Sequence, residues 1–344
     1  MFSLRSFVVV ATLLAFFHSG DNGLVTAKPT SHLQKRQCTA TLTIADDLHN
    51  LMLATGNDQF GTVADSSYIG KAALNSGTNW SNFIGGSYDD AQWVILALWK
   101  IADYKSARGL SASAYLVKYT LEILRHQFLT YDSYHIRTAQ RLFTILSQAN
   151  GTLGLWWSSA HTYKNAITNE LFLLTSASGY LRGGGSTYLA NAQKTWAWYY
   201  VDLQPASGLS ALYAATGDST LLTQAEITLD ATISQLSTNN ILKESCDNAA
   251  SATGQCNHDQ QSFKGIWTKH LQYYLDTANS ASRNAKYSGF LGSQLSAVIH
   301  YGTDASDDVG SVWYAPNAGG SVFTPETSAS GLAAIVAAAK YGPC

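Results

Sequence analysis

Asp89 and Asp90 stand side by side where the stretch Gly85-Gly86-Ser87-Tyr88 runs into an apolar-periodic segment. Neighbouring Cα atoms lie about 3.8 Å apart, and diverging side chains can set two carboxyl groups at the ~5–5.5 Å used by glycosidases that retain anomeric configuration. The ~6.5–9.5 Å gap of inverting glycosidases is harder for adjacent residues to reach. Two carboxylates that close repel, so one holds its proton to higher pH and the pair divides into an acid and a nucleophile. The same pair also fits a helix N-cap and N1 acid stabilised by the macrodipole. Tyr88 and Trp93 offer flat faces for stacking on a sugar ring, or equally for packing in a wall or core.

A second dense stretch runs from Leu155-Trp156-Trp157 through His161, Lys164 and Asn165 to Asn169-Glu170. Asn165 and Asn169, four residues apart, share one helix face. Amides on an otherwise apolar helix need partners if buried, and a sugar with many hydroxyls can supply them; a capped helix with Trp156 and Trp157 in the core is the plainer alternative.

The elements that must position these groups are helical. Apolar residues recur at helical spacing in Leu42, Ala45, Leu48 and Met52, in Trp93, Leu96, Ala97 and Ile101, and in Leu171, Leu174, Ala177 and Leu181. Further helical blocks are predicted near 111–128, 137–148, 186–200, 207–215, 219–236, 260–277, 281–300 and 326–341, and no period-two strand pattern persists. Frequent Ala, Gly and Ser on these helices let them approach closely, as stacked hairpins require. An all-α solenoid and a closed toroid both fit. No low-complexity linker divides the mature chain, which predicts a single domain.

Arg5 followed by the apolar run Phe7 to Phe17 has the order of a secretory signal peptide over residues 1–20. The run is too short to span a bilayer. Lys35-Arg36 closes a pro-segment over 21–36, so the mature domain is expected at 37–344, secreted to the exterior or cell wall. Over the whole chain 21 Lys and Arg face 23 Asp and Glu. With so small a net charge and only 13% charged residues, no basic field invites nucleic acid. Cys38, Cys246, Cys256 and Cys344 are an even set in a secreted chain and admit three pairings. A local Cys246–Cys256 bridge is expected, leaving Cys38 and Cys344 to join the termini, and joined termini favour the toroid. Asn79 and Asn150 begin glycosylation sequons. The apolar stretch Gly331 to Ala339 reads as a last helix rather than a lipid-anchor signal. His258-Asp259 beside Cys256 is not expected to hold a metal, no cofactor motif is present, and Asp307-Asp308 reads as a solvated turn.

Tyr88-Asp89-Asp90 before an aromatic-bearing helix, Gly154-Leu155-Trp156-Trp157, His161 to Glu170, and Phe263-Lys264-Gly265-Ile266 together resemble glycoside hydrolase family 76, the endo-α-1,6-mannanases. The resemblance implies an (α/α)6 toroid whose adjacent aspartates cleave α-1,6-mannan with retention, Asp89 as nucleophile and Asp90 as acid/base. It implies substrate contacts from Tyr88, Trp93, Trp156, Trp157, His161, Lys164, Asn165, Asn169 and Lys264, no cofactor, and a monomer that takes mannan as its partner. Two departures stand out. Tyr200 reaches Gly208-Leu209 across seven residues where similar chains carry a longer loop, and Val117 to Arg137 reads as an insertion. An imperfect toroid, with a cleft more open after Tyr200, is the expectation. A cell-wall mannan transglycosidase and a non-catalytic mannan-binding protein are the competing functions.

Overall fold

The computed structural model describes residues 44–80, 87–116, 154–158, 160, 162–199, 206–251 and 253–343. The signal peptide, pro-segment, Cys38, the 117–137 insertion, Asn150, His161, the connection after Tyr200 and Cys344 lie outside the described residues. The helices are α1 (44–55), α2 (Val63–Ser66), α3 (Tyr68–Leu74), α4 (Tyr88–Ala107), α5 (Ser113–Leu116), α6 (Ala166–Leu181), α7 (Ser186–Tyr199), α8 (Ala206–Thr216), α9 (Thr220–Gln235), α10 (His258–Ala278), α11 (Ala281–Ala297) and α12 (Pro325–Tyr341). Val298–Gly302 continues α11 as a π-helix. The sequence did not announce one hairpin, β1 (Ser237–Thr238) with β2 (Ile241–Leu242), paired antiparallel. Its turn residues Asn239 and Asn240 have φ of 54° and 65°, the left-handed region that tight hairpin turns demand and asparagine tolerates.

The chain divides into two compact units, Leu48–Leu229 and a second formed by Met1–Asp47 with Asp230–Cys344. In the first, α6 packs against α4, α7 and α8. Leu171, Phe172, Leu173, Leu174 and Ala177 are all buried, so this helix is apolar around most of its circumference, as a helix with neighbours on several sides must be. Small residues set the spacing: a Cβ on Gly208 would meet Leu173 Cγ at 2.9 Å, and one on Gly179 would meet the Tyr188 ring at 2.5 Å. At its other end α4 is fastened by Lys105 to Asp65, a carboxylate that also accepts from Tyr115 of α5, and by its C-cap Arg108 to Asp58 and the Met52 carbonyl.

In the second unit α12 lies against α10 and α11. Thr324 caps α12 with a capping box and Pro325 opens it, which fixes where this helix starts. Its residues Glu326 to Ala338 are all buried, and Gly265 of α10 meets Ser330 so closely that a Cβ there would lie 2.3 Å from the Ser330 Cα. The last-helix reading of Gly331 to Ala339 is therefore borne out, and among the described residues no helix is long and apolar enough to cross a membrane. Trp313, Val309, Ala334 and Ile335 form an apolar cluster with Ala297 and with Val298, the first residue of the π-helix. Cys246 and Cys256 are joined, as expected, with Cα atoms 5.0 Å apart.

This unit also buries a charged cluster. Lys269 Nζ lies 3.0 Å from Asp46 and 3.4 Å from Asp47, and Tyr273 donates its hydroxyl to Asp46 at 3.0 Å. His270, beside them with its ring 6.0 Å from that of Tyr273, is also buried. Burial first, then the positive Lys269, holds its imidazole down to about 3 against an opposing pull from Asp46. An unfolded histidine titrates near 6.5, so between those values the unfolded chain binds a proton the folded chain refuses. Stability should therefore fall as pH drops below about 6.5, by up to ~1.4 kcal/mol per pH unit from this one group. Urea midpoints of the wild type and His270→Gln between pH 7 and 4.5 check this: the variant should lose less on acidification, and parallel losses would clear His270 as the source.

Candidate active site

Ser87 is the N-cap of α4, in extended conformation, and its side chain makes no capping hydrogen bond. Asp89 and Asp90 therefore occupy the second and third helical positions rather than the N-cap and N1 positions considered from sequence. Both are half-buried in the first turn of the helix, where the macrodipole favours negative charge. Tyr88 is 8% exposed, and burial raises its phenol pKa.

The tryptophan loop is joined to this turn through the backbone. Tyr88 N–H donates to the Trp157 carbonyl at 2.8 Å, Trp157 N–H donates to the Tyr163 carbonyl at 2.7 Å, and Ser87 pairs with Ser158 as an antiparallel bridge. The two sequence stretches singled out for their chemistry thus meet at one helix terminus. Trp157 is 37% and Tyr163 58% exposed, large aromatic side chains on the loop whose backbone is bonded to the turn that bears the paired carboxylates. Trp156 is half-buried with the Lys164 ammonium 4.7 Å from its ring centre, and burial lowers the Lys164 pKa. Trp93 is half-buried on α4.

The two asparagines act on the protein itself. Asn165 is the N-cap of α6, its side chain accepting from Thr168 N–H at 3.0 Å. Asn169 is fully buried, accepts from Leu155 N–H at 2.7 Å, and donates to the carbonyls of Leu155 and Asn165 at 3.1 and 2.9 Å. Both N–H groups of its amide are engaged, so Asn169 holds the tryptophan loop to α6 in place of the sugar contact expected of it.

Lys264 likewise departs from its expected role. It is 2% exposed in the second unit, 2.7 Å from Asp247 and 5.1 Å from the Trp313 ring centre. A buried ammonium with a carboxylate partner secures the disulfide-closed segment and offers no face to a polysaccharide. Phe263 beside it is exposed. His258 lies 3.3 Å from Glu326, and the Cys256 sulfur is committed to its disulfide.

Two groups gain interest that sequence spacing did not give them. Burial pushes the Glu170 carboxyl up to about 7, a range suited to proton transfer near neutrality. Gln92 is fully buried with its amide bonded to two helices. Its only sequence signal is its place one turn after Tyr88, which does not separate it from any core polar residue.

The sequence pattern of Glycosyl hydrolase family 76 matches residues 200–340, a stretch that begins after Asp89 and Asp90. Mannan endo-1,6-alpha-mannosidase DFG5 of Candida albicans is 26% identical over 151 residues, a match spanning 33% of this chain and 33% of that protein. The α-1,6-mannanase of Salegentibacter sp. HEL1_6 has the same fold at a TM-score of 0.65 and 15% identity, covering 96% of this chain and 98% of that one. An inactive variant of it, with two consecutive aspartates replaced by asparagine, is solved with α-1,6-mannotriose; it matches at 0.64 and 16% identity over 87% and 88% of the two chains. Dfg5 from Chaetomium thermophilum, solved with glucosamine, matches at 0.62 and 15% identity over 97% and 88%. These likenesses show the fold, the all-α (α/α)6 class expected from sequence. By sequence over residues 200–340 and by fold over most of the chain, the resemblance to glycoside hydrolase family 76 is borne out.

Proposed function

We propose that the protein is a secreted glycoside hydrolase that cleaves α-1,6-mannosidic bonds in mannan with retention. The observation that carries this reading is the Asp89-Asp90 pair in the first turn of α4, bonded through Tyr88 to a loop that exposes Trp157 and Tyr163. It is supported by a neighbour of like fold whose inactive form lacks two consecutive aspartates. In the first step the Asp89 carboxylate attacks the anomeric carbon while Asp90 gives its proton to the departing glycosidic oxygen. In the second, Asp90 takes a proton from water, which attacks the same carbon and frees Asp89. Two displacements restore the original α configuration. Trp157 and Tyr163 supply the stacking surface, Trp93, Trp156 and Lys164 line the approach, and no metal or cofactor enters the scheme. Secretion is part of the same reading, supported by the Cys246–Cys256 disulfide and by the exposed side chain of Asn79 in its sequon.

The test uses the protein recovered from culture medium, with an N-terminus expected at Gln37 if residues 37–344 are the mature catalytic domain. Incubated with unbranched α-1,6-mannan and followed by proton NMR, it should release short oligosaccharides whose first-formed reducing ends are α. A β product would overturn retention, and no product across a pH series would overturn the enzyme reading. Adding a mannoside acceptor separates hydrolysis from transfer, since a transglycosidase lengthens the acceptor.

A further inference from the structure

We propose that Gln92 is a positioning residue that fixes the turn bearing Asp89 and Asp90, an inference that rests on the catalytic reading of that pair. Gln92 Nε2 donates to the Tyr88 carbonyl at 3.1 Å and to the Thr168 carbonyl at 3.0 Å, while Oε1 accepts from Thr175 Oγ1 at 3.2 Å. The same threonine hydroxyl lies 2.8 Å from the Leu171 carbonyl, so its single hydrogen serves both. Only one orientation of the amide is compatible with these neighbours, because the flipped form would set Oε1 against two carbonyl oxygens.

The Tyr88 carbonyl belongs to the peptide plane that leads into Asp89. The other peptide plane of Tyr88 is held by its N–H to Trp157. Tyr88 is thus pinned on both sides, by Gln92 toward α6 and by Trp157 toward the aromatic loop. Asn169, one residue after Thr168, fastens that loop at Leu155. The two buried amides therefore link α4, α6 and the tryptophan loop into one fixture, with both N–H groups of each amide used. A paired-carboxylate mechanism needs such a fixture, because each carboxyl group must be held to within about half an ångström of its working place. A displacement of about 1 Å can lower the rate ~100-fold.

Gln92→Leu keeps the size of the side chain and removes both donors. It should lower kcat on an α-1,6-mannooligosaccharide by about 10–100-fold with KM changed less than about threefold, since Trp157 and Tyr163 are untouched. Carboxylates that drift apart repel less, so the alkaline limb of the pH–rate profile should move to lower pH. Gln92→Glu places an acceptor against the same two carbonyls when ionised and one donor when protonated. Its activity relative to wild type should therefore rise as pH falls. Thr175→Val, which removes only the hydroxyl behind Gln92, should give a smaller loss of kcat in the same sense and guards against a Gln92 variant that does not fold.

A purely structural role predicts a lower melting temperature with kcat, KM and both pH limbs unchanged in the folded fraction, and that outcome overturns the proposal. Carbon-13 carboxyl titrations of Asp89 and Asp90 by NMR give a readout that needs no turnover. If the wild type cleaves no mannan, the functional reading fails, and unshifted titrations in Gln92→Leu and Thr175→Val would separately remove Gln92 from the positioning of the pair.

Discussion

Asp89→Asn should reduce turnover of α-1,6-mannan by at least about a thousandfold, and Asp90→Asn by about 10²–10⁴-fold, with both variants folded. The reason for intact folding is local. Each aspartate contributes about 0.3–1 kcal/mol at the N-terminus of α4, and removing one also removes its repulsion of the other. The two variants should differ on a substrate with a good leaving group. Such a leaving group needs no proton, so Asp90→Asn should still complete the first displacement and then stall, because the water that must attack the intermediate has lost its base. Asp89→Asn should show no such burst. Peptide mapping of the stalled Asp90→Asn species should find the sugar ester-linked to Asp89. A label on any other residue overturns the assignment of roles, and near-wild-type turnover in either variant removes that residue from the mechanism.

The elements that carry these residues were legible where periodicity, caps and small residues agreed. Residues 186–200, 207–215 and 326–341 were expected as helices and are found as α7, α8 and α12 within a residue at most ends. The start of α4 is misread from sequence because Asp89 and Asp90 are residue types that cap helices, yet the cap is Ser87 and the carboxylates follow it at the second and third helical positions, within the first turn. The π-helix at Val298–Gly302 could not be seen, since its residues continue the pattern of α11. Side-chain roles were harder than helices. Asn169 and Lys264 were expected to face a sugar, but a buried amide or ammonium can be satisfied as well by a backbone carbonyl or a carboxylate, and composition does not say which partner arrives. Leu155 and Asp247 are those partners, at sequence separations of 14 and 17. The Cys246–Cys256 bridge was easier to read because the two cysteines are 10 residues apart in one polar loop.

Lys269→Met should destabilise the protein by about 3–5 kcal/mol, more than any other single change considered. The wild-type ammonium is 3% exposed and serves two adjacent carboxylates, Asp46 and Asp47, whose side chains are 6% and 1% exposed. Burial alone would push its pKa down; the attraction of Asp46 and Asp47 outweighs that and holds it above the ordinary lysine value. A raised folded-state value means that this contribution is fully present below about pH 10 and is lost only as pH climbs past it. Methionine fills the space but removes the buried ammonium that both carboxylates face, while the Tyr273 hydroxyl still donates to Asp46. A buried carboxylate that loses its cation binds protons more readily, so the variant's deficit should be largest near pH 8 and shrink toward pH 5. Adding Asp46→Asn and Asp47→Asn to Lys269→Met should recover much of the loss, because a neutral cluster has no unpaired charge to bury. Denaturant midpoints at pH 5, 6.5 and 8 read this directly. A deficit below about 1 kcal/mol that does not change with pH would mean the carboxylates reach water when the lysine is gone, and that Asp46, Asp47 and Lys269 form no sealed ion cluster.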